Sequence, residues 1–147
     1  MKPPLAKNDT PRRADIVALA RTYIGTPFRH QGRTPGHGLD CIGVMVCIGR
    51  ELGLFDYDLP HYPRLPHGDM ALLPHVARAG FRPLTICAAQ PGDVLVFRVL
   101  REPQHVALLT DCGVLHAWLQ AGAVVEHRLE PFWQSRMVGA FAFPNVI

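Results

Sequence analysis

The chain has 147 residues, long enough for one domain with a real core, and 48% hydrophobic against 18% charged residues exclude a disordered polymer. A net charge of +3 with no run of Lys or Arg excludes a nucleic-acid signature but suits an anionic polymer such as a cell wall. No segment approaches the ~20 apolar residues of a membrane span, and the N-terminus lacks the apolar stretch of a signal peptide. The expectation is therefore cytoplasmic synthesis, with neither membrane nor nucleic acid as a partner.

Residues 1–9 read as a loose polar tail. Thr10-Pro11 is a candidate start for an amphipathic helix in which Ile16, Val17, Ala20, Tyr23 and Ile24 recur at helical spacing, ended by Gly25. Residues 26–38 form a long loop rich in Gly and Pro, holding Phe28 and Arg29 beside the next element. Asp40 is a good N-cap, and the nearly unbroken apolar run after it predicts a central buried helix over 41–52, ended by Gly53. Cys41 falls in the first turn of that helix, where the dipole and free amides favour a thiolate. Residues 54–73 form an irregular excursion, and a short helix from Asp69 to Ala79 closes it at Gly80.

Pro91-Gly92-Asp93 is a turn, and the β-branched and aromatic run 94–99 after it is a strand. Pro103 should break the pattern. Strands follow at 104–109, 114–118 and 124–128, with a fifth at 137–143, before which Phe132 and Trp133 cover the sheet. Helices followed by an antiparallel meander make an α+β domain, with helices segregated to one face of the sheet. Cys41, Cys47, Cys87 and Cys112 contain no close pair, so the expectation is reduced thiols, three of them structural, with no metal and no cofactor.

A Cys becomes a candidate nucleophile when a His stands beside it. Alternation along strands puts His105 and His116 on one face of neighbouring strands, opposed or diagonal. That face should be the one covered by the Cys41 helix. Cys41 would then be the nucleophile, His105 the base and His116 the residue that orients the base. His61, His67, His75 and His127 read as surface or packing residues.

Four segments carry a resemblance in this order and spacing: Leu39-Asp40-Cys41-Ile42-Gly43-Val44, Pro91 to Phe97, Gln104-His105-Val106-Ala107 and Leu115-His116-Ala117. Together they resemble the NlpC-type cell-wall cysteine peptidases, over about Ala14 to Pro144. The Gly32-Arg33-Thr34-Pro35-Gly36 loop and Val138-Gly139-Ala140-Phe141 are similar to the branch found in phage tails and gene-transfer-agent particles. The resemblance implies a papain-like core with five to six antiparallel strands, and cleavage of the γ-D-glutamyl–diaminopimelate (or Lys) bond of peptidoglycan stem peptides. It implies Cys41, His105 and His116 as catalytic, with Phe28, Arg29, Asp40 and Gln104 as candidate substrate-binding residues. Phage or gene-transfer-agent tail proteins are the implied partners, and a virion or tail-like particle the implied delivery route. Ile42 stands where the family usually has Ser, and Phe28 near a usual Tyr. A structural tail-tip component and a thiol acyltransferase are the alternative functions.

Overall fold

The structure, a computed structural model, describes residues 9–62, 72–99 and 102–147, with side chains for 9–62, 72–98 and 105–147. The expectations for residues 1–8, for His67 and for a helix start at Asp69 lie outside the described residues. Helix α1 (Arg13–Arg21) begins later than Thr10-Pro11 suggests. The Asp15 carboxylate reaches back and accepts the Arg12 N–H at 2.9 Å, which makes Arg12 the cap. Within the loop that follows, β1 (Arg33–Thr34) and β2 (Gly38–Leu39) pair as a small hairpin that the sequence reading missed.

Helix α2 (Cys41–Glu51) is the expected central helix, and its residues Ile42 to Gly49 are all buried. Gly53, at φ +66°, ends it by letting the Leu54 N–H reach the Gly49 carbonyl at 2.8 Å. A short helix, α3 (Leu72–Arg78), precedes the sheet strands β3 (Arg82–Leu84), β4 (Val94–Val99), β5 (Glu102–Thr110), β6 (Gly113–Trp118) and β7 (Ala123–His127). Helix α4 (Pro131–Gln134) then leads into β8 (Met137–Ala142). The sheet order is β3-β8-β4-β5-β6-β7, with every neighbouring pair antiparallel. Pro103 does not break β5: it pairs with Arg98, beside a register shift between Phe97 and Arg98.

The two faces of the sheet have separate cores. Val94, Val96, Val106, Leu108, Leu115, Ala117 and Val124 pack with α1 and α2. Leu95, Phe97, Ala107, Val114 and Ala140 pack instead around Trp133 of α4. The ladder between β5 and β6 covers only Leu108↔Leu115, Leu109↔Val114 and Thr110↔Gly113 among the described residues. Beyond it, towards residues 105–107 and 116–118, that pairing stops, and this gap is where the site forms.

Glycines bring the loop onto the start of α2. A Cβ on Gly43 would lie 2.2 Å from the Gly32 carbonyl oxygen, and one on Gly32 would lie 2.5 Å from the Gly38 backbone. Backbone has no flexible end that can move aside. Gly43→Ala should lower stability by about 1–3 kcal/mol despite the better helix propensity of Ala. The loss should read as a lower urea midpoint at unchanged m, and an unchanged midpoint would show that the loop gives way freely.

Candidate active site

The mouth of α2 is held by one carboxylate. Asp40 Oδ1 accepts the Gly43 N–H at 2.8 Å and Arg33 Nη1 at 3.0 Å. Its Oδ2 accepts the Gln31 N–H at 2.8 Å and the Tyr62 hydroxyl. Arg33 also forks onto Asp58, with Nε to Oδ2 at 2.9 Å and Nη2 to Oδ1 at 3.0 Å, and donates to the Tyr62 oxygen at 2.9 Å. Burial opposes the charge on Arg33, but Asp58, Tyr62 and Asp40 more than offset this and raise it above the ordinary arginine value. Burial and the adjoining Asp40 likewise push the Tyr62 phenol up, which keeps it a hydrogen donor. Asp40 thus has its oxygens filled from three segments and is buried, which makes it the anchor of the helix mouth rather than a group open to substrate.

Cys41 is the first helical residue. Its sulfur lies against the backbone amides of Val106 and Ile42, one residue along β5 from His105. Burial, reinforced by Asp40, pushes the thiol up to about 12, although the two amides and Arg33 pull the other way. The sequence argument that a helix start yields a thiolate is corrected here, because desolvation outweighs the dipole. Ile42, in place of the usual Ser, points into the core and lines an apolar cavity of ≈ 40 Å³ together with Met45, Val94 and Val106.

The imidazoles lie on the opposite face of the sheet from the one expected. On β5 the bulky set that alternates with His105 is Val106 and Leu108, and on β6 it is Leu115 and Ala117; these residues occupy the α2 side. His105 and His116 therefore turn towards Trp133, at ring separations of 5.5 and 5.0 Å. Their mutual placement is the expected diagonal, with His105 Nε2 2.6 Å from His116 Nδ1. His116 Nε2 in turn lies 2.8 Å from His127 Nε2, and His127 Nδ1 lies 2.8 Å from the Arg128 carbonyl. Burial pushes His105 down to about 4, and burial followed by the two facing imidazoles pushes His116 lower still.

His127, read from sequence as a surface or packing residue, stands within hydrogen-bond distance of His116. The available signal was a repeat: the eleven-residue step from His105 to His116 recurs from His116 to His127, across consecutive antiparallel strands. Phe28 is half-buried against the α2 core, and its N–H reaches the Gly122 carbonyl at 2.8 Å. Arg29 is exposed and lies over Gly38, where a Cβ would come within 2.7 Å of its own. Gln104 is on β5, with its side chain outside the described residues. Cys47 is buried and donates to the Arg33 carbonyl at 3.2 Å, whereas Cys87 and Cys112 are exposed and not the structural thiols expected. Donor atoms of Asp111, Cys112 and Glu126 lie within 4.8 Å of one another, and the Arg21 guanidinium lies among them, 2.5 Å from Asp111 and 2.9 Å from Glu126.

An α+β domain with a cysteine at the mouth of its central helix and an imidazole file in the adjoining sheet has the layout of a papain-like thiol site. Residues 25–142 match the NlpC/P60 family profile, and the chain belongs to that family. Among curated proteins it is 27% identical over 151 residues to the Gamma-DL-glutamyl hydrolase of Bacillus subtilis, covering 92% of this chain and 31% of that protein. It is 33% identical over 103 residues to a probable endopeptidase of Mycobacterium tuberculosis, covering 70% of this chain and 22% of that protein. The chain thus spans under a third of the length of these relatives. Among solved structures, the NlpC/p60 domain of the peptidoglycan hydrolase SagA superposes with a TM-score of 0.65 at 24% identity, covering 90% of this chain and 99% of that one. An NlpC/P60 family protein from Bacillus cereus gives a TM-score of 0.72 at 20% identity, covering 92% and 41%. These likenesses establish the fold.

Two consequences follow from the shifts at Cys41 and His105. First, His105 is neutral in the fold and takes up a proton on unfolding below the ordinary value of 6.5, so acid favours the unfolded chain between 6.5 and about 4. The melting temperature should fall as pH drops through that window, and His105→Gln should flatten the slope; equal slopes would contradict the buried neutral imidazole. Second, iodoacetamide should alkylate Cys41, in a Cys87→Ser, Cys112→Ser background, at a rate rising about tenfold per pH unit from 6 to 9. A flat rate from pH 5 to 8 would mean a preformed thiolate–imidazolium pair instead.

Proposed function

We propose that the protein is a cysteine peptidase that hydrolyses peptidoglycan stem peptides at the γ-D-glutamyl–diaminopimelate (or Lys) bond. The observation that carries this reading is the Cys41 sulfur at the α2 mouth, adjoining β5 at the residue next to a buried imidazole that is itself held by a second. The relatives support the substrate class: one is a Gamma-DL-glutamyl hydrolase, another a probable endopeptidase, and SagA a peptidoglycan hydrolase.

The residues take the following parts. Substrate closes the site, and His105 Nδ1 takes the thiol proton as Sγ attacks the scissile carbonyl carbon. Because both groups rest neutral, proton transfer accompanies attack instead of preceding it. The Gly43 N–H is already taken by Asp40, the Val44 N–H by the Asp40 carbonyl at 3.2 Å, and the Ile42 N–H lies on the Cys41 sulfur, so the oxyanion falls to the Cys41 N–H. The His105 imidazolium then protonates the departing amine, leaving a thioester on Cys41. Water attacks that thioester with His105 again as base, releasing the carboxylate and restoring the thiol. Phe28 and Arg29 are the substrate-facing residues of this reading, together with Gln104.

The delivery route is a tail-like particle from a phage or gene-transfer agent, with its tail proteins as partners. Its support is the similarity of the Gly32–Gly36 loop and of Val138–Phe141 to that branch of the family.

Purified muropeptides incubated with the protein should yield a fragment carrying a new diaminopimelate (or Lys) amine, read by mass, and Cys41→Ala should abolish it. Identical digests from wild type and variant would overturn the peptidase reading and favour a structural tail component. Acylation of Cys41 by a lipid donor, with muropeptides left intact, would favour an acyltransferase.

A further inference from the structure

The imidazole file ends on a group that can only accept. The Arg128 carbonyl, 2.8 Å from His127 Nδ1, requires a hydrogen on that nitrogen. A neutral His127 then has a bare Nε2, so the 2.8 Å contact between the two Nε2 atoms takes its hydrogen from His116. His116 therefore has a bare Nδ1, and the 2.6 Å contact to it is donated by His105 Nε2–H. One nitrogen remains without a hydrogen, and it is His105 Nδ1.

We propose that His127 is a positioning residue, which through the Arg128 carbonyl sets the tautomers of His116 and His105 and leaves the His105 Nδ1 lone pair to serve as the base. The role of that base rests on the peptidase reading, whereas the tautomers do not. Packing holds the file in line. Trp133 covers His105, His116 and His127 at ring separations of 5.5, 5.0 and 6.2 Å, and Trp118 stacks on His116 at 5.8 Å. His105 and His116 are buried, so neither ring can rotate to a second partner without leaving a buried nitrogen unpaired, while His127 is half-buried and held at the Arg128 carbonyl. When His105 Nδ1 receives the thiol proton, His105 Nε2–H points at the His116 lone pair. His116 is the better acceptor for donating its own Nε2–H to His127. The file therefore steadies the imidazolium as well as fixing the tautomer.

The test compares His127→Leu, which removes the acceptor, with His127→Gln, whose amide N–H can take the Arg128 carbonyl while its oxygen faces His116. Two-bond proton–nitrogen NMR of the wild-type protein should show His105 and His116 protonated at Nε2 and His127 at Nδ1. His127→Leu should give mixed tautomers at His116 and His105 and lower kcat on muropeptides by roughly 10- to 100-fold at unchanged KM. His127→Gln should restore a single tautomer and most of kcat. A wild-type His105 protonated at Nδ1 would overturn the proposal even if no variant folds. So would a folded His127→Leu protein whose tautomers and kcat match wild type. If the tautomers are as stated but wild type leaves muropeptides uncut, the peptidase reading fails and the assignment of His127 as tautomer anchor stands.

Discussion

The structure depends on how Asp40 is satisfied. Its carboxylate ties together the first turn of α2, the loop before it through Gln31 and Arg33, and the chain after the helix through Tyr62. Each donor alone is an ordinary cap or ion pair. Converging on one buried group, they fix both where the helix begins and which way its first residue faces. The glycine contacts at Gly32 and Gly43 have the same effect sterically, allowing backbone to lie on backbone where a side chain would intrude. Cys41 is thereby pinned against β5 at Val106.

Burial works against charge on both Cys41 and His105. The sulfur is pushed up to about 12 and His105 down to about 4, so the helix dipole and the two nearby amides do not win against burial. The same burial makes each hydrogen in the imidazole file matter, since a misplaced one leaves an unpaired nitrogen beneath Trp133.

Much of this arrangement could be read from the chain. Asp40 before an apolar run placed the cap and made Cys41 the first helical residue, and the even turn at Asp111-Cys112 put His105 and His116 opposed or diagonal, of which the structure shows the diagonal. The errors came from weighing one strand residue at a time. Val106 and Leu108 outweigh His105, Ala107 and Leu109 as a face for α2, which reverses the side on which the imidazoles hang. Pro103 looked like a stop because the neighbouring register shift that accommodates it is not visible in composition. His127 was passed over because a histidine near a strand end is ordinary until its strand is known to lie beside that of His116. The Asp40 carboxylate looked available to substrate because its partners Arg33 and Tyr62 come from loops with no periodic signal.

The central claim is that the sulfur at the helix mouth and the imidazole on the far face of the sheet meet through the gap between β5 and β6. A crystal structure of the protein with a stem-peptide aldehyde bound covalently to Cys41 tests this most directly. The account requires the adduct oxygen on the Cys41 amide, with His105 Nδ1 within hydrogen-bond distance of the sulfur or the adduct. A bound aldehyde with His105 still enclosed against Trp133 and out of reach of both would contradict it.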